Sequence, residues 1–312
     1  MLLDLLFLFG GLALLFVGAE GLVRGAASLA LRIGITPLVV GLTVVAFGTS
    51  APELVVSVQA ALGGTGGIAI GNVVGSNIAN VALILGVAAL IRPLRVEAQL
   101  VRFDMPMMVA VTGLLVALLW DKTLSRPEAL LLLAGFAAYI AFTLYQARRS
   151  RTLLLTLDAA LPQPVSSRLR DVAYLVGGLL ALGLGSTGLV HGAVAIAGAL
   201  KIPDAVIGLT LVAVGTSLPE LATSSLAAYR GEGDLAIGNV VGSNLFNVLG
   251  ILGVAALVRP LYAPGLTPLD LGALLIAALL ILPLARSGFV LSRREGVLLL
   301  AFYGAYTFLL LG

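Results

Sequence analysis

The sequence contains no cysteine and only one histidine, His191, among its 312 residues. Without cysteine there is no disulfide framework, thiolate nucleophile or cysteine-ligated metal, and one histidine cannot supply a multi-histidine zinc centre. Charge is also scarce, because Asp, Glu, Lys and Arg make up 11% of the chain, against about a quarter in soluble domains. Hydrophobic residues make up 60%. The composition therefore excludes an ordinary soluble domain and indicates an integral membrane protein.

Apolar runs long enough to cross a hydrocarbon core, about 20 residues each, occur ten times along the chain. The first run carries Asp4 as its only charge before Glu20, so it lacks the positive start of a signal peptide. The pattern predicts an all-α, polytopic membrane protein with ten transmembrane helices. The predicted spans are Leu2–Val23, Pro37–Leu62, Ile68–Ile91, Leu100–Trp120, Glu128–Gln146, Val172–Leu189, Ala205–Tyr229, Leu235–Val258, Leu269–Leu284 and Leu291–Leu311.

The basic residues predict the orientation of these spans. With the N-terminus outside, 14 of the 18 Lys and Arg fall on the cytoplasmic side and 4 on the other side. The positive-inside rule therefore places both termini outside. The basic residues lie mostly in short loops and form no patch that could follow a phosphate backbone, which argues against a nucleic-acid partner. The one long connection, Arg148–Arg170, is predicted to be a cytoplasmic linker.

The chain contains an internal duplication. Gly41–Pro93 aligns with Gly208–Pro260 at a constant offset of 167 without a gap, and 36 of the 53 aligned positions are identical. Each copy then holds five spans, and because five is odd, the second copy enters the membrane from the opposite side. Inverted repeats of this kind are typical of secondary transporters that alternate access to a midplane site. The predicted domains are a first five-helix repeat at 1–147, the linker at 148–170 and a second, inverted repeat at 171–312.

Each repeat carries one deep carboxylate, Glu53 in GTSAPE and Glu220 in GTSLPE. The prolines before them, Pro52 and Pro219, remove a helical hydrogen bond and push the preceding turn open, so a broken helix is predicted at mid-membrane. A buried carboxylate pair satisfied by Ser and Asn is the plainer alternative. Intramembrane carboxylates are costly, however, and an apolar replacement of an idle pair would stabilise the protein, so a functional role is favoured.

The following span of each repeat brings a second polar motif, GNVVGSN, with Asn80 or Asn247 three residues beyond it. Ser76 and Asn80 are four residues apart and share a helix face, as do Ser243 and Asn247. The Gly, Ser and Asn residues are also suited to close helix packing, especially Asn72 and Asn239, which lie away from that face. With the two glutamates, they form an all-oxygen set that suits a hard cation such as Ca²⁺ or Na⁺.

The repeated pattern GTS-x-PE followed by GN-x-x-GSN-x-x-N resembles the α-repeats of the sodium/calcium exchanger family, of the prokaryotic type, within the cation/Ca²⁺ antiporter superfamily. The resemblance implies a transporter rather than an enzyme, with Ca²⁺ and Na⁺ as transported ions, no cofactor, and a location among the lipids of a prokaryotic plasma membrane. It places Ca²⁺ between Glu53 and Glu220 with the carbonyls of Thr49 and Thr216. The Na⁺ ligands that it implies are Ala46, Ser50, Ser76, Asn80, Ala213, Ser217 and Ser243.

One position departs from this family's pattern, because Asn247 stands where exchangers commonly have an aspartate. Glutamates can also carry protons, so a proton-driven Ca²⁺ antiporter is the second hypothesis. Related proton-coupled exchangers tend to have a glutamate where this chain has Gly75 and Gly242, which disfavours that hypothesis. A cation channel would not need inverted copies, and the spans lack the nucleophile and base of an intramembrane hydrolase.

Two further polar groups, the Glu20–Arg24 pair and His191, are predicted to have a structural role rather than a part in the ion site. Glu20 and Arg24 are four residues apart near the cytoplasmic end of the first span, where Glu before Arg favours an ion pair with its charges at the interface. His191 occupies the position of Arg24 in the second copy and is predicted to be a packed or interfacial histidine.

Overall fold

The computed structural model describes residues 2–33, 35–156, 167–199 and 213–311. Helices dominate both halves. The helices of the first half are α1 (Leu2–Ile33), α2 (Pro37–Thr49), α3 (Ala51–Leu62), α4 (Gly66–Ile91), α5 (Leu100–Asp121) and α6 (Arg126–Thr156). Those of the second are α7 (Arg168–Ala199), α8 (Ala213–Thr216), α9 (Leu218–Arg230), α10 (Gly233–Val258), α11 (Pro268–Arg286) and α12 (Arg293–Leu311).

Within the described residues, seven helices are long and apolar enough to cross a membrane, and α2 and α3 make an eighth candidate as a pair bent by 46°. Each of the ten predicted spans overlaps at least one helix. The seventh, Ala205–Tyr229, begins outside the described residues, which resume at Ala213. The chain is an all-α, multi-pass integral membrane protein.

Three helices extend well beyond their predicted ends. α1 continues to Ile33 where Val23 was the predicted end, α6 to Thr156 where Gln146 was predicted, and α7 to Ala199 where Leu189 was predicted. None of these extensions contains a proline, and a helix that leaves the hydrocarbon needs no apolar residues to continue. The predicted linker Arg148–Arg170 therefore begins within α6, and its residues 157–166 lie outside the described part of the chain.

Two pairs of short strands join the two halves. β1 (Leu94–Arg95) pairs antiparallel with β4 (Val290–Leu291), and β2 (Thr123–Leu124) pairs antiparallel with β3 (Leu261–Tyr262). β3 is the repeat equivalent of β1, and β4 is the equivalent of β2, at the offset of 167. Exchanging the two halves therefore converts the β1–β4 pair into the β3–β2 pair. A two-fold relation between the halves produces this pattern.

The first helices of the two halves, α1 and α7, pack against each other along glycines. A Cβ atom on Gly11 would lie 2.4 Å from the backbone nitrogen of Leu189, and one on Gly178 would lie 2.7 Å from that of Leu22. Only glycine permits such close backbone approach. The glycines whose added Cβ would meet the other helix at less than 3 Å are Gly11, Gly18, Gly25, Gly178, Gly185 and Gly192.

The repeat motifs lie at the centre of this arrangement. α4 and α10, which carry the GNVVGSN segments, are the most deeply buried of the candidate spans. α3 packs against α4 and α9 against α10, and α10 also contacts α2. Most polar side chains of both motifs are therefore buried inside the protein.

Candidate ion-binding site

The predicted helix break occurs in both repeats. α2 ends at Thr49 and α3 begins at Ala51, with Ser50 between them at φ −85° and ψ 10°. Ser217 separates α8 from α9 at φ −86° and ψ 6°. Pro52 and Pro219 stand in the first turn of the helix that follows, where the missing N–H is tolerated. The predicted breaks are confirmed, while their mid-membrane depth stays a prediction. Each break leaves helix-end carbonyls beside a glutamate in the next turn.

The two glutamates are each bound to the break of the other repeat. Glu53 and Glu220 are 0% and 1% exposed. The Ser50 hydroxyl does not cap its own helix; it donates to Glu220 Oε1 at 2.7 Å. The Ser217 hydroxyl donates to Glu53 Oε1 at 3.4 Å. Two carboxylates and two serines therefore meet across the junction of the halves.

The threonines at the breaks are held by asparagines of the opposite repeat. Thr49 Oγ1 donates to Asn239 Oδ1 at 3.1 Å, and Thr216 Oγ1 donates to Asn72 Oδ1 at 3.4 Å. The amide nitrogens of both asparagines donate to serine hydroxyls at 3.0 Å. Asn72 and Asn239 thus join helices across the halves, in agreement with the packing alternative stated for them, and they fix the threonine side chains.

Asn80 and Asn247 lie on π-helical turns. The segments Ala79–Ile84 in α4 and Phe246–Leu252 in α10 depart from the α-helical pattern. Such turns add a residue to the helix and occur frequently at functional sites. They re-aim the side chains that follow the GNVVGSN motif, which sequence spacing based on a regular helix does not predict.

Six buried side-chain oxygens in these motifs have no hydrogen-bond partner among the described residues. Buried polar groups are normally paired, and an unpaired one costs about 1–3 kcal/mol. The six atoms form three pairs of equivalent positions in the two repeats. They are Oε2 of Glu53 and Glu220, Oγ of Ser76 and Ser243, and Oδ1 of Asn80 and Asn247. All are oxygens, the ligand type that hard cations prefer.

The resemblance implies Ala46 and Ala213 as Na⁺ ligands, and the structure describes their surroundings to different extents. Ala46 lies at the end of a π-helical turn, and its carbonyl accepts the Ser50 N–H at 3.1 Å. Ala213 is the first residue of α8, directly after the undescribed residues 200–212.

Another buried carboxylate, Asp104, was missed by the sequence analysis. It is 1% exposed and accepts a hydrogen bond from Gln99 at 3.3 Å. Its equivalent in the second half is Leu271, so the repeat alignment gives it no prominence. The sequence could have identified Asp104 as a buried carboxylate, because it lies inside the predicted span Leu100–Trp120. In the described residues, no three His, Cys, Asp or Glu side chains group closely enough to hold a metal.

The peripheral polar groups behave largely as predicted. Glu20 forms the expected ion pair with Arg24, and it also pairs with Arg230 at the end of α9. The ring of His191 packs edge-on against Phe7, with ring centroids 5.0 Å apart. These groups therefore belong to helix packing at the two ends of the bundle.

Glu97 lies in the loop between α4 and α5 and has another acidic residue, Asp234, as a neighbour. Burial and the neighbouring Asp234 charge raise the pKa of Glu97 to about 7. The folded protein therefore retains a proton that the unfolded chain has lost, and stability falls as pH rises from about 4.5 to 7. Glu97→Gln is expected to flatten this part of the profile of melting temperature against pH. Identical profiles for both proteins would contradict the assignment.

A family model described as "Sodium/calcium exchanger protein" matches residues 3–145 and 171–312. The chain is 42% identical over 263 residues to the putative antiporter CaxA of Alkalimonas amylolytica, covering 83% of this chain and 82% of that protein. It is 36% identical to the sodium/calcium exchanger MaX1 of Methanosarcina acetivorans, over 97% of each. A structure of the sodium-calcium exchanger NCX_Mj soaked with Na⁺ and Sr²⁺ matches with a TM-score of 0.86 at 32% identity, covering 100% of this chain and 98% of that one.

Proposed function

Because the chain belongs to the sodium/calcium exchanger family, we propose that it is a secondary transporter that exchanges Ca²⁺ for Na⁺ at a site built around Glu53 and Glu220. The observation that carries this proposal is the set of six buried oxygens without a hydrogen-bond partner, three from each repeat. Two carboxylates balance one Ca²⁺ in charge. The remaining four oxygens are neutral, so they can add ligands without adding charge.

In this site, Ca²⁺ lies between Glu53 and Glu220 and is also bound by the carbonyls of Thr49 and Thr216. Both threonines are the last residues of their helices, where backbone carbonyls have no intrahelical partner. Their hydroxyls donate to Asn239 and Asn72, and these hydrogen bonds hold the threonine side chains in place beside the helix-end carbonyls. The Na⁺ ligands are drawn from Ala46, Ser50, Ser76, Asn80, Ala213, Ser217 and Ser243, with Asn247 beside them.

The transporter consists of ten spans in two inverted five-span repeats, and the site alternates between the two membrane faces. The exchanged strand pairs support this arrangement, as do two arginines at equivalent positions. Arg126 Nε donates to the Leu257 carbonyl at 3.3 Å, and Arg293 Nε donates to the Leu90 carbonyl at 3.1 Å. The excess of basic residues on one side supports an orientation with both termini outside.

Exchange rather than leak follows from the charge of the site. Without a cation, Glu53 and Glu220 would be two like charges in a water-poor interior, which is costly. Ca²⁺ or Na⁺ neutralises them and lets the loaded protein change sides. The empty protein is therefore held on one side, so that uptake of one ion depends on release of the other.

Proton-driven Ca²⁺ exchange is the second candidate, because both carboxylates are fully buried and a proton would neutralise them as Na⁺ does. Purified protein in vesicles distinguishes the two. Uptake of ⁴⁵Ca²⁺ is expected when the vesicles are loaded with Na⁺, and not when only a pH gradient is imposed. The double variant Glu53→Gln, Glu220→Gln serves as the inactive control. Uptake driven by the pH gradient alone would favour proton coupling, and uptake with neither gradient would indicate a channel.

A further inference from the structure

Asn77 and Asn244 occupy equivalent positions in the two repeats and touch each other across the junction. Both are buried, at 1% and 3% exposure. Asn77 Nδ2 donates to the backbone carbonyl of Asn244 at 3.2 Å, and Asn244 Nδ2 donates to the backbone carbonyl of Asn77 at 3.4 Å. A carbonyl can only accept, so the amide nitrogen of each side chain must face it. The amide oxygen of each side chain must then point the other way.

The side-chain oxygens of Asn77 and Asn244 in turn set the orientation of Asn247 and Asn80, each in the opposite repeat. Asn77 Oδ1 accepts a hydrogen bond from Asn247 Nδ2 at 2.9 Å, and Asn244 Oδ1 accepts one from Asn80 Nδ2 at 3.0 Å. An oxygen acceptor selects the nitrogen end of the facing amide. Asn77 and Asn244 together thus form a clamp, and the oxygen ends of Asn80 and Asn247 are turned away from it. Both of these oxygens are buried without a partner.

We propose that Asn77 and Asn244 are positioning residues that hold the amide oxygens of Asn247 and Asn80 toward the transported cations. This inference rests on the proposed function. The terminal torsion of an asparagine is roughly two-fold, so an unheld amide would also present its nitrogen, whose partial positive charge repels a cation. The clamp prevents that orientation, and it is crossed, because each repeat orients a ligand of the other.

The crossed arrangement makes a specific prediction for equilibrium binding of ⁴⁵Ca²⁺ to the purified protein. Asn77→Ala and Asn244→Ala are each expected to weaken binding by about tenfold, the value of a buried hydrogen bond. Combining Asn77→Ala with Asn247→Ala should weaken binding no further than Asn247→Ala alone, because the clamp then has nothing to hold. Combining Asn77→Ala with Asn80→Ala should multiply the two effects, since these residues do not bond each other.

The same measurements with Asn244→Ala should show the reverse pattern, coupled to Asn80→Ala and independent of Asn247→Ala. A general loosening of the helices would not produce this exchange of partners. Unchanged affinity in both single variants, or equal multiplication in all four pairs, would overturn the clamp.

The binding and transport measurements separate this inference from the proposed function. A crossed pattern in Ca²⁺ binding combined with proton-driven uptake would overturn Na⁺ coupling and keep the clamp. Normal Na⁺-driven uptake without the crossed pattern would overturn the clamp and keep the exchanger. Wild-type protein that binds no Ca²⁺ would overturn both.

Discussion

Replacing Glu53 or Glu220 with glutamine is expected to abolish Ca²⁺ transport. Both side chains are fully buried, and each is bound to a serine of the opposite repeat. Glutamine keeps the shape but removes one of the two charges, so bound Ca²⁺ would leave a net positive charge in a poorly solvated site. At an effective dielectric constant of about 20, losing a unit charge about 4 Å away costs roughly 4 kcal/mol for each of the two charges of Ca²⁺, so the loss of affinity is at least about a thousandfold.

Asp104→Asn provides the matched control for this experiment, because Asp104 is also buried in a span but is hydrogen-bonded to Gln99. It should bind and transport Ca²⁺ much as the wild type does. Initial rates of Na⁺-driven ⁴⁵Ca²⁺ uptake measure all three variants. Near-normal exchange by either glutamine variant would show that the ion passes elsewhere. Loss of exchange in the control as well would show that transport also depends on a buried carboxylate outside the site, so the loss in the glutamine variants would not identify the ion ligands.

The features predicted from sequence are those that depend on short stretches of chain. Pro52 and Pro219 break their helices through local geometry, so the breaks and the neighbouring glutamates could be read from six residues. The duplication identified the equivalent positions, because the offset of 167 holds without a gap. Length and hydropathy located the seven membrane-spanning helices of the described residues and the bent pair of α2 and α3, since crossing a bilayer imposes a minimum apolar length.

The features that were not predicted depend on contacts between the halves. The crossed hydrogen bonds of Asn77 and Asn244 join residues 167 positions apart, and nothing in either motif indicates the partner. The π-helical turn at Asn80 arises within an unbroken apolar helix, where no proline marks it. The end of α1 was missed for a different reason, because hydropathy reports where a helix leaves the membrane and not where it stops.

The contact between α1 and α7 allows a second prediction of large effect. Gly11→Ala and Gly178→Ala are expected to destabilise the protein, because the added Cβ would lie 2.4 and 2.7 Å from backbone nitrogens of the other helix. Backbone atoms cannot move aside as a flexible side chain can, so the two helices must separate. Overpacking of this kind typically costs about 1–3 kcal/mol.

The neighbouring glycines Gly10 and Gly177 supply matched controls in the same helices, since an added Cβ there meets nothing within 4 Å. Alanine is a better helix former than glycine by about 0.8–1.0 kcal/mol, so Gly10→Ala and Gly177→Ala should raise the melting temperature while Gly11→Ala and Gly178→Ala lower it. Thermal unfolding of the four purified variants tests this difference in sign. If all four raise the melting temperature, the glycines contribute through helix propensity alone, and close backbone contact between α1 and α7 is not what requires Gly11 and Gly178.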